Sequence, residues 1–152
     1  MVFRKTLTLL AAPVAGLLST SAVLGAGSAA AQPAPPPPPP LHHIKYTVGA
    51  SQDIANAEIY YREKDPPNWA EYSHNPYLYT PNQEANLGPD KPWVFETWLA
   101  DPAQWSMVVV GLPTAQTADL AAPGFVCELR VDDVVVATDS GLRGALCSQR
   151  PW

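Results

Sequence analysis

Both cysteines of the chain, Cys127 and Cys147, lie in residues 124–152, the stretch that restricts the fold more than any other. Every second residue from position 125 to 131 is apolar or cysteine, and the positions between them are mostly polar. A period of two places one set of side chains on the buried face of a β-sheet. The pattern therefore predicts a half-buried strand that carries Cys127.

Turn signals divide the rest of this stretch. Asp132 and Asp133 separate the first strand from an apolar run at residues 134–138. Aspartate tolerates the left-handed backbone of a tight turn, so the pair predicts a type I′ hairpin. A third short strand is expected to begin at Gly144. Twenty positions separate the two cysteines, and a disulfide that closes such a loop stabilises a fold by about 3 kcal/mol.

Residues 1–31 have the parts of a secretory signal peptide. Two basic residues precede an uncharged run at residues 6–24, and Ala29 and Ala31 supply the A-x-A pattern of a cleavage site. Cleavage after Ala31 predicts a secreted or cell-envelope protein. The alternative is an uncleaved, single-pass membrane anchor, because the run approaches the roughly 20 apolar residues that span a bilayer. Either form places the cysteines in an oxidising compartment, where they can persist as a disulfide.

Charge argues against two classes of partner. The chain has nine basic and fourteen acidic residues. Cleavage would remove Arg4 and Lys5 and no acid, which leaves seven basic residues and a net charge of about −7. Nucleic acids and anionic lipid surfaces attract basic patches. We therefore expect no nucleic-acid partner, and membrane contact only through the N-terminal segment if it is retained. The oligomeric state is left open.

A proline-rich linker, QPAPPPPPP at residues 32–40, follows the signal segment. Consecutive prolines favour an extended polyproline II rod of about 3.1 Å per residue. The segment is expected to be a spacer that holds the following domain away from the membrane or wall. A ligand for a proline-recognition domain is the alternative.

Residues 41–152 are expected to form one β-sandwich domain. Apolar patterns predict four strands before the cysteine region, at residues 44–48, 57–62, 93–99 and 104–111, and the alternation of the second places Arg62 on its polar side. The first two are expected to pair as a hairpin, and Asp101-Pro102 is expected to mark a reversal between the last two. With the three later strands, the count is about seven. The inferred fold is an all-β, immunoglobulin-like sandwich with one disulfide.

The connection at residues 63–92 is too long for a hairpin loop, so it is expected to be functional or to hide an edge strand within residues 77–87. It is rich in proline and carries four aromatic residues. These aromatics could lid one end of the sandwich, form an adhesive surface, or do both. The candidate binding surface consists of Trp69, Tyr72, Tyr77 and Tyr79.

A series of motifs resembles a known family. The motifs are YTVG at residues 46–49, AEIYY at 57–61, KPWVFE at 91–96, VVVG at 108–111 and CELRVDD at 127–133, followed by Cys147. Their order resembles the extracytoplasmic domain of the MmpS family of small mycobacterial membrane proteins. The resemblance implies a β-sandwich with one disulfide, a mycobacterial source, and an accessory role beside RND-type exporters of lipids or siderophores.

The three histidines offer little for catalysis. His42 and His43 are adjacent, so on a strand they point to opposite faces and cannot share a metal with ordinary geometry. His74 lies in the aromatic connection. The sequence has no G-x-S-x-G motif, and no free cysteine remains if the disulfide forms. We therefore predict no catalytic residues, no metal and no cofactor.

Carboxylates give two further alternatives. A calcium site needs oxygen ligands in a characteristic order, and the hairpin region does not contain that pattern. The aspartates of this region, Asp132, Asp133 and Asp139, are therefore interpreted as solvated. A glycosidase would need two carboxylates at a fixed separation, for which Glu71 and Glu84 are the candidates. A small hydrolase of envelope glycans or esters is therefore the third hypothesis.

The leading hypothesis from the sequence is a non-enzymatic, exported cell-envelope domain. It would bind a protein or a lipid-like partner through residues 63–92. The second hypothesis is the exporter-accessory role that the MmpS resemblance implies.

Overall fold

Eight β-strands form two four-stranded antiparallel sheets in the computed structural model, which describes residues 34–113 and 124–152. The prediction of an all-β sandwich is confirmed. The predicted signal segment, including Ala29 and Ala31, lies outside the described residues. Residues 34–40 of the proline-rich segment are exposed and have no regular secondary structure.

Most neighbouring strands within each sheet are not consecutive in the chain. Sheet 1 has the order β4-β1-β6-β7, and sheet 2 has the order β3-β2-β5-β8. The elements are β1 (His42–Ala50), β2 (Ile54–Tyr61), α1 (Trp69–His74), a 3-10 turn (Pro76–Leu78), β3 (Asn82–Leu87), β4 (Trp93–Leu99), α2 (Pro102–Trp105), β5 (Met107–Gly111), β6 (Phe125–Val131), β7 (Val134–Gly141) and β8 (Gly144–Ser148).

The predicted hairpin of the first two strands is wrong. β1 pairs with β4 and β6 in sheet 1, whereas β2 pairs with β3 and β5 in sheet 2. The chain crosses the sandwich between Ala50 and Ile54, which are both buried. The chain also crosses from β4 in sheet 1 to β5 in sheet 2 through the short helix α2. Asp101-Pro102, which was expected to mark a simple reversal, begins this helix. Alternation identifies which residues face a core, but it does not say which strand lies alongside.

The strand count is corrected from about seven to eight within the described residues. The additional strand is β3, which lies in the long connection and pairs with β2 at the edge of sheet 2. This confirms the alternative that residues 77–87 hide an edge strand. Only one residue of β3, Leu87, is buried, so the strand has almost no apolar alternation to detect.

The predicted disulfide is present and joins the two sheets. Cys127 lies on β6 of sheet 1, and Cys147 lies on β8 of sheet 2, with 6.0 Å between their Cα atoms. Both cysteines are buried in the core between the sheets. They pack there with apolar side chains that include Ile44, Tyr46, Val48, Ile59, Val108, Val110, Phe125 and Leu129.

The predicted type I′ hairpin is also confirmed. Val131 pairs with Val134 across a two-residue turn, and the turn residues Asp132 and Asp133 have φ angles of 49° and 65°. Positive φ at both central positions is the requirement of this turn, and its twist matches that of the flanking strands.

Asp132 ties the hairpin to the start of β1. Its carboxylate accepts a hydrogen bond of 2.9 Å from the backbone N–H of His43, and His42 Nδ1 lies 2.7 Å from its Oδ2 atom. The hydrogen bond with His42, followed by the one with the His43 backbone, lowers the pKa of the Asp132 carboxyl from its ordinary value. The ionised carboxylate is therefore stabilised in the folded state.

Replacing Asp132 with Asn should lower the melting temperature near neutral pH and have little effect in strong acid. A carboxyl whose folded pKa is depressed contributes stability above its unfolded pKa, and this contribution is lost as pH falls through the folded pKa. Thermal unfolding measured between neutral pH and pH below about 3 checks the prediction. Asp133→Asn is the control in the same turn. An equal effect of Asp132→Asn at both ends of the pH range would contradict the account.

Candidate binding site

The long aromatic connection covers part of the outer face of sheet 2 and forms a pocket there. Tyr60 on β2 and Val109 on β5 are paired neighbours. Their side chains point away from the core because Ile59 and Val110 point into it. The segment from α1 to the 3-10 turn stands beside them. The pocket has a volume of about 270 Å³ and is lined by Tyr60, Tyr72, Pro76, Tyr77, Thr80, Met107 and Val109.

Both short helices begin at a side-chain cap. The Asn68 side chain accepts a hydrogen bond of 2.9 Å from the N–H of Glu71 and starts α1. Asp101 accepts one of 3.1 Å from Gln104 and starts α2. Caps of this kind satisfy N–H groups that the first helical turn leaves free. α1 carries Trp69 and Tyr72, and α2 ends at Trp105.

Next to the pocket, six side chains form an aromatic–arginine cluster. The Trp69 ring lies 4.4 Å from the Trp105 ring and 6.0 Å from the Trp152 ring. The Tyr72 ring lies 5.7 Å from both Trp69 and Trp105. The distances and tilts are those of attractive aromatic pairs. The cluster consists of Arg62, Trp69, Tyr72, Trp105, Arg150 and Trp152.

Arg62 lies at the centre of this cluster and is fully buried, with 0% of its surface exposed. Its guanidinium carbon is 4.3 Å from the centroid of the Tyr72 ring, 5.2 Å from that of Trp105 and 5.7 Å from that of Trp152. Its Nε donates a hydrogen bond of 3.2 Å to the Trp105 carbonyl. Burial lowers the pKa of the Arg62 guanidinium. The Tyr72 side chain opposes that shift through a polar contact that falls short of hydrogen-bond geometry.

Polar groups without partners are concentrated at this site. Among the described residues, four buried side-chain atoms have no hydrogen-bond partner: both terminal nitrogens of Arg62, Thr80 Oγ1 and Arg150 Nε. Arg62 and Arg150 belong to the aromatic–arginine cluster, and Thr80 lines the adjacent pocket. Buried polar groups are nearly always hydrogen-bonded, because leaving one unpaired costs about 1–3 kcal/mol. Their concentration at one place calls for a functional explanation.

Three of the four aromatic residues predicted from the sequence come together. Trp69 and Tyr72 belong to the cluster, and Tyr77 lines the pocket with 72% of its surface exposed. Tyr79 lies apart from the pocket lining, and its ring contacts Lys64 at 5.6 Å. Because Trp69 packs on the buried Trp105 whereas Tyr77 is open to solvent, the connection is both a lid and an exposed surface.

Sequence reasoning missed four of the six cluster residues, namely Arg62, Trp105, Arg150 and Trp152. The alternation of β2 predicts that Arg62 faces solvent, whereas the structure buries it. The predicted strand at residues 104–111 is wrong at Trp105, which ends α2. Asp101-Pro102 is a helix start signal that could have found this helix. Arg150 and Trp152 follow the last strand, and no local pattern links them to residues 63–92.

The other candidate residues are held in separate places. His43 Nε2 lies 3.2 Å from Glu96, away from the His42–Asp132 pair. Asp139 on β7 accepts a hydrogen bond of 2.8 Å from the N–H of Leu146. His74 and Glu71 are on α1, and Glu84 is on β3. Within residues 34–113 and 124–152, no three His, Cys, Asp or Glu side chains form a group that could hold a metal ion.

A larger groove, of about 650 Å³, lies on the outer face of sheet 1. Its polar side chains include Glu128, which pairs with Arg130 at 2.6 Å, and Asp139, which is bonded to Leu146. Small residues such as Gly49 form much of its floor. None of the unpartnered buried atoms of the described residues lies there. The pocket beside the aromatic–arginine cluster is therefore the better candidate site, although it is smaller.

Together the observations define a disulfide-tied β-sandwich with a pocket beside an aromatic–arginine cluster. The chain belongs to the family of the Rv2576c beta-sandwich domain, whose family model matches residues 46–147. It is 34% identical over 111 residues to the uncharacterized protein Rv2576c of Mycobacterium tuberculosis H37Rv, and equally to the uncharacterized protein Mb2606c of Mycobacterium bovis. Each match covers 73% of this chain and 68% of the relative. No solved structure matches the chain.

These relatives place the chain among mycobacterial proteins. The family match includes both cysteines and the cluster residues Arg62, Trp69, Tyr72 and Trp105, whereas Arg150 and Trp152 lie beyond it. Neither helix of the described residues has the length and apolar character that a membrane crossing requires.

Proposed function

We propose that this protein is a non-enzymatic, exported cell-envelope domain that binds a lipid-like partner through the aromatic site. One observation carries the proposal: an apolar pocket adjoins the described residues' only buried side-chain polar atoms without partners. Ligand sites combine mainly apolar walls with a few polar groups that orient the ligand. The disulfide between the sheets stabilises the sandwich on whose outer face the pocket lies.

The shape and chemistry of the pocket favour part of an aliphatic chain. Met107 and Val109 form an apolar floor, and the Tyr60, Tyr72 and Tyr77 rings stand around it. Its volume of about 270 Å³ lies just below the range of about 300–1,000 Å³ that holds whole drug-sized ligands. The pocket is therefore suited to anchoring one segment of a larger molecule.

A protein partner is the alternative occupant. Tyr77 is exposed, and tyrosine and tryptophan are frequent anchors in protein interfaces. A pocket of this size also accepts a single large side chain. Binding of a simple aliphatic probe separates the two, because a protein-specific surface has no reason to bind an isolated chain.

The proposal is tested by titrating the purified protein with decanol and following tryptophan fluorescence. We expect a saturable change, because three tryptophans lie in the adjoining cluster. Val109→Gln should weaken decanol binding about tenfold, since it places an amide on the apolar floor. Val135→Gln is the matched control on β7 of the other sheet. The absence of saturable binding, or equal affinities of both variants, would contradict a lipid-like ligand.

The MmpS-like, exporter-accessory role is a second candidate. It is supported by the CELRVDD motif, which forms β6 and the β6–β7 turn and brings Cys127 to the disulfide. This role requires a membrane-retained protein. N-terminal sequencing of the form isolated from cells discriminates between the candidates: a start at Gln32 is expected for the released domain, and an intact Met1 would favour the anchored accessory subunit.

A further inference from the structure

We propose that the ligand of the aromatic site is an anionic amphiphile, a single aliphatic chain that ends in a carboxylate or phosphate. Its anionic head would pair with Arg62 and Arg150, while its chain occupies the pocket formed by Tyr60, Met107 and Val109. This inference rests on the proposed function and adds the charge of the ligand and the place of its head.

Neither Arg62 nor Arg150 has an anionic partner among the described residues. The side-chain ion pairs of the described residues involve His42, His43, Lys45 and Arg130, and include neither Arg62 nor Arg150. Asp65 is the acidic residue whose charge acts on the pKa of Arg62. Its carboxylate is occupied by the N–H groups of Ala100 and Asp101, at 2.6 and 3.2 Å. Asp65 therefore does not form an ion pair with Arg62.

Guanidinium groups match carboxylate and phosphate geometry. Their N–H donors form a planar fork that can bind two oxygens of one anion. Both terminal nitrogens of Arg62 lack partners, and so does Nε of Arg150. Stacking on aromatic rings balances part of the cationic charge, but a ring face does not replace the hydrogen bonds that these N–H groups require. An anionic head supplies both the charge and the acceptors.

Two contacts join the cluster to the pocket. Tyr72 lines the pocket with its ring, and the same ring lies 4.3 Å from the Arg62 guanidinium carbon. The backbone N–H of Arg62 donates a hydrogen bond of 2.9 Å to the carbonyl of Met107, which forms part of the pocket floor. A ligand whose chain lies on Met107 therefore has its end close to Arg62.

Trp152 is the cluster ring that lies beside both arginines and is partly open to solvent. Its ring lies 3.9 Å from the Arg150 guanidinium carbon and 5.7 Å from that of Arg62. It follows the end of β8, and 43% of its surface is exposed. Trp152 is therefore a solvent-exposed ring beside the two guanidinium groups, outside the strands of either sheet.

The overall charge of the protein favours a single bound molecule over a membrane surface. The chain has a net charge of −5, so an anionic bilayer repels it as a whole. The positive charge of the site is confined to two arginines, of which Arg62 is fully buried. One anionic head can reach such a site, whereas a plane of headgroups cannot.

The test compares decanoate, decanol and inorganic phosphate above pH about 7, where carboxylates are ionised. Tryptophan fluorescence of the purified protein reports each titration. We expect decanoate to bind about tenfold more tightly than decanol, since charge-assisted hydrogen bonds add to the burial of the chain. Arg62→Met and Arg150→Met should each remove most of this preference, measured in each variant as the ratio of decanoate affinity to decanol affinity. Arg143→Met, in the exposed β7–β8 turn, is the matched control.

The outcomes separate this inference from the proposed function. If decanol binds saturably and decanoate binds no more tightly, the proposal of an anionic ligand is overturned, but the proposed lipid-binding site is not. If neither decanol nor decanoate binds, the proposed function is overturned as well. Phosphate that binds as tightly as decanoate would assign the site to a free anion and overturn the amphiphile. If Arg62→Met does not fold, Arg150→Met still decides, because an unchanged decanoate preference in that variant would overturn the proposal.

Discussion

Replacing Cys127 and Cys147 together with alanine should lower the free energy of unfolding by about 3 kcal/mol. The disulfide joins β6 of one sheet to β8 of the other and closes a loop with a sequence separation of 20. Without it, the unfolded chain gains freedom, and the contact between the sheets depends on apolar packing alone. Urea unfolding, followed by tryptophan fluorescence, measures the difference.

The reductant provides the control for this prediction. Reduction of the wild-type protein should bring its stability close to that of the double variant, and the double variant should not respond to reductant. Decanol affinity of the folded double variant should stay near the wild-type value, because the cysteines lie in the core, away from the pocket. A loss of stability below about 1 kcal/mol would show that the disulfide is not a major support of the fold.

Trp105→Ala should be the most damaging single substitution at the site, with an expected loss of about 3–5 kcal/mol. Trp105 is only 2% exposed, and its ring packs against Trp69, Tyr72 and the Arg62 guanidinium. Its removal leaves a cavity under α1 and takes away one of the rings that stack on a buried cation. Urea unfolding gives the loss of stability, and the decanoate titration should show weakened binding in the protein that remains folded.

Trp98→Ala is the matched control. Trp98 lies on β4, is 58% exposed, and stands on the outer face of sheet 1 beside His43. Surface substitutions of this kind usually change stability by less than about 0.5 kcal/mol. Equal losses in the two variants would show that the aromatic–arginine cluster does not support the folded domain.

Much of the fold could be predicted from local patterns. β6 and its hairpin were predictable because Cys127 and Leu129 alternate with polar residues, and because Asp132 and Asp133 suit a turn with positive φ. The pairing of β1 was not predictable in the same way. Its neighbours β4 and β6 are distant in the chain, and a period of two carries no information about which strand lies alongside.

The candidate site was predictable only in part. Trp69, Tyr72 and Tyr77 attract attention because aromatic residues in a long connection are unusual. Nothing in the sequence marks Arg62 as a site residue, because an arginine at the end of a strand is expected to face solvent. Its burial arises from long-range packing, in which α1, α2 and residues 150–152 close over one guanidinium. Sequence separation conceals such a cluster until the chain is folded.

The five tryptophan indole N–H groups allow the most direct test of the binding site. In ¹⁵N-labelled protein, titration with decanoate should shift the indole signals of Trp69, Trp105 and Trp152, whose rings form the cluster. The signals of Trp93, which packs on Phe95, and of Trp98 should stay in place. Shifts confined to Trp93 or Trp98, or no shifts at saturating decanoate, would contradict the assignment of ligand binding to the aromatic–arginine cluster.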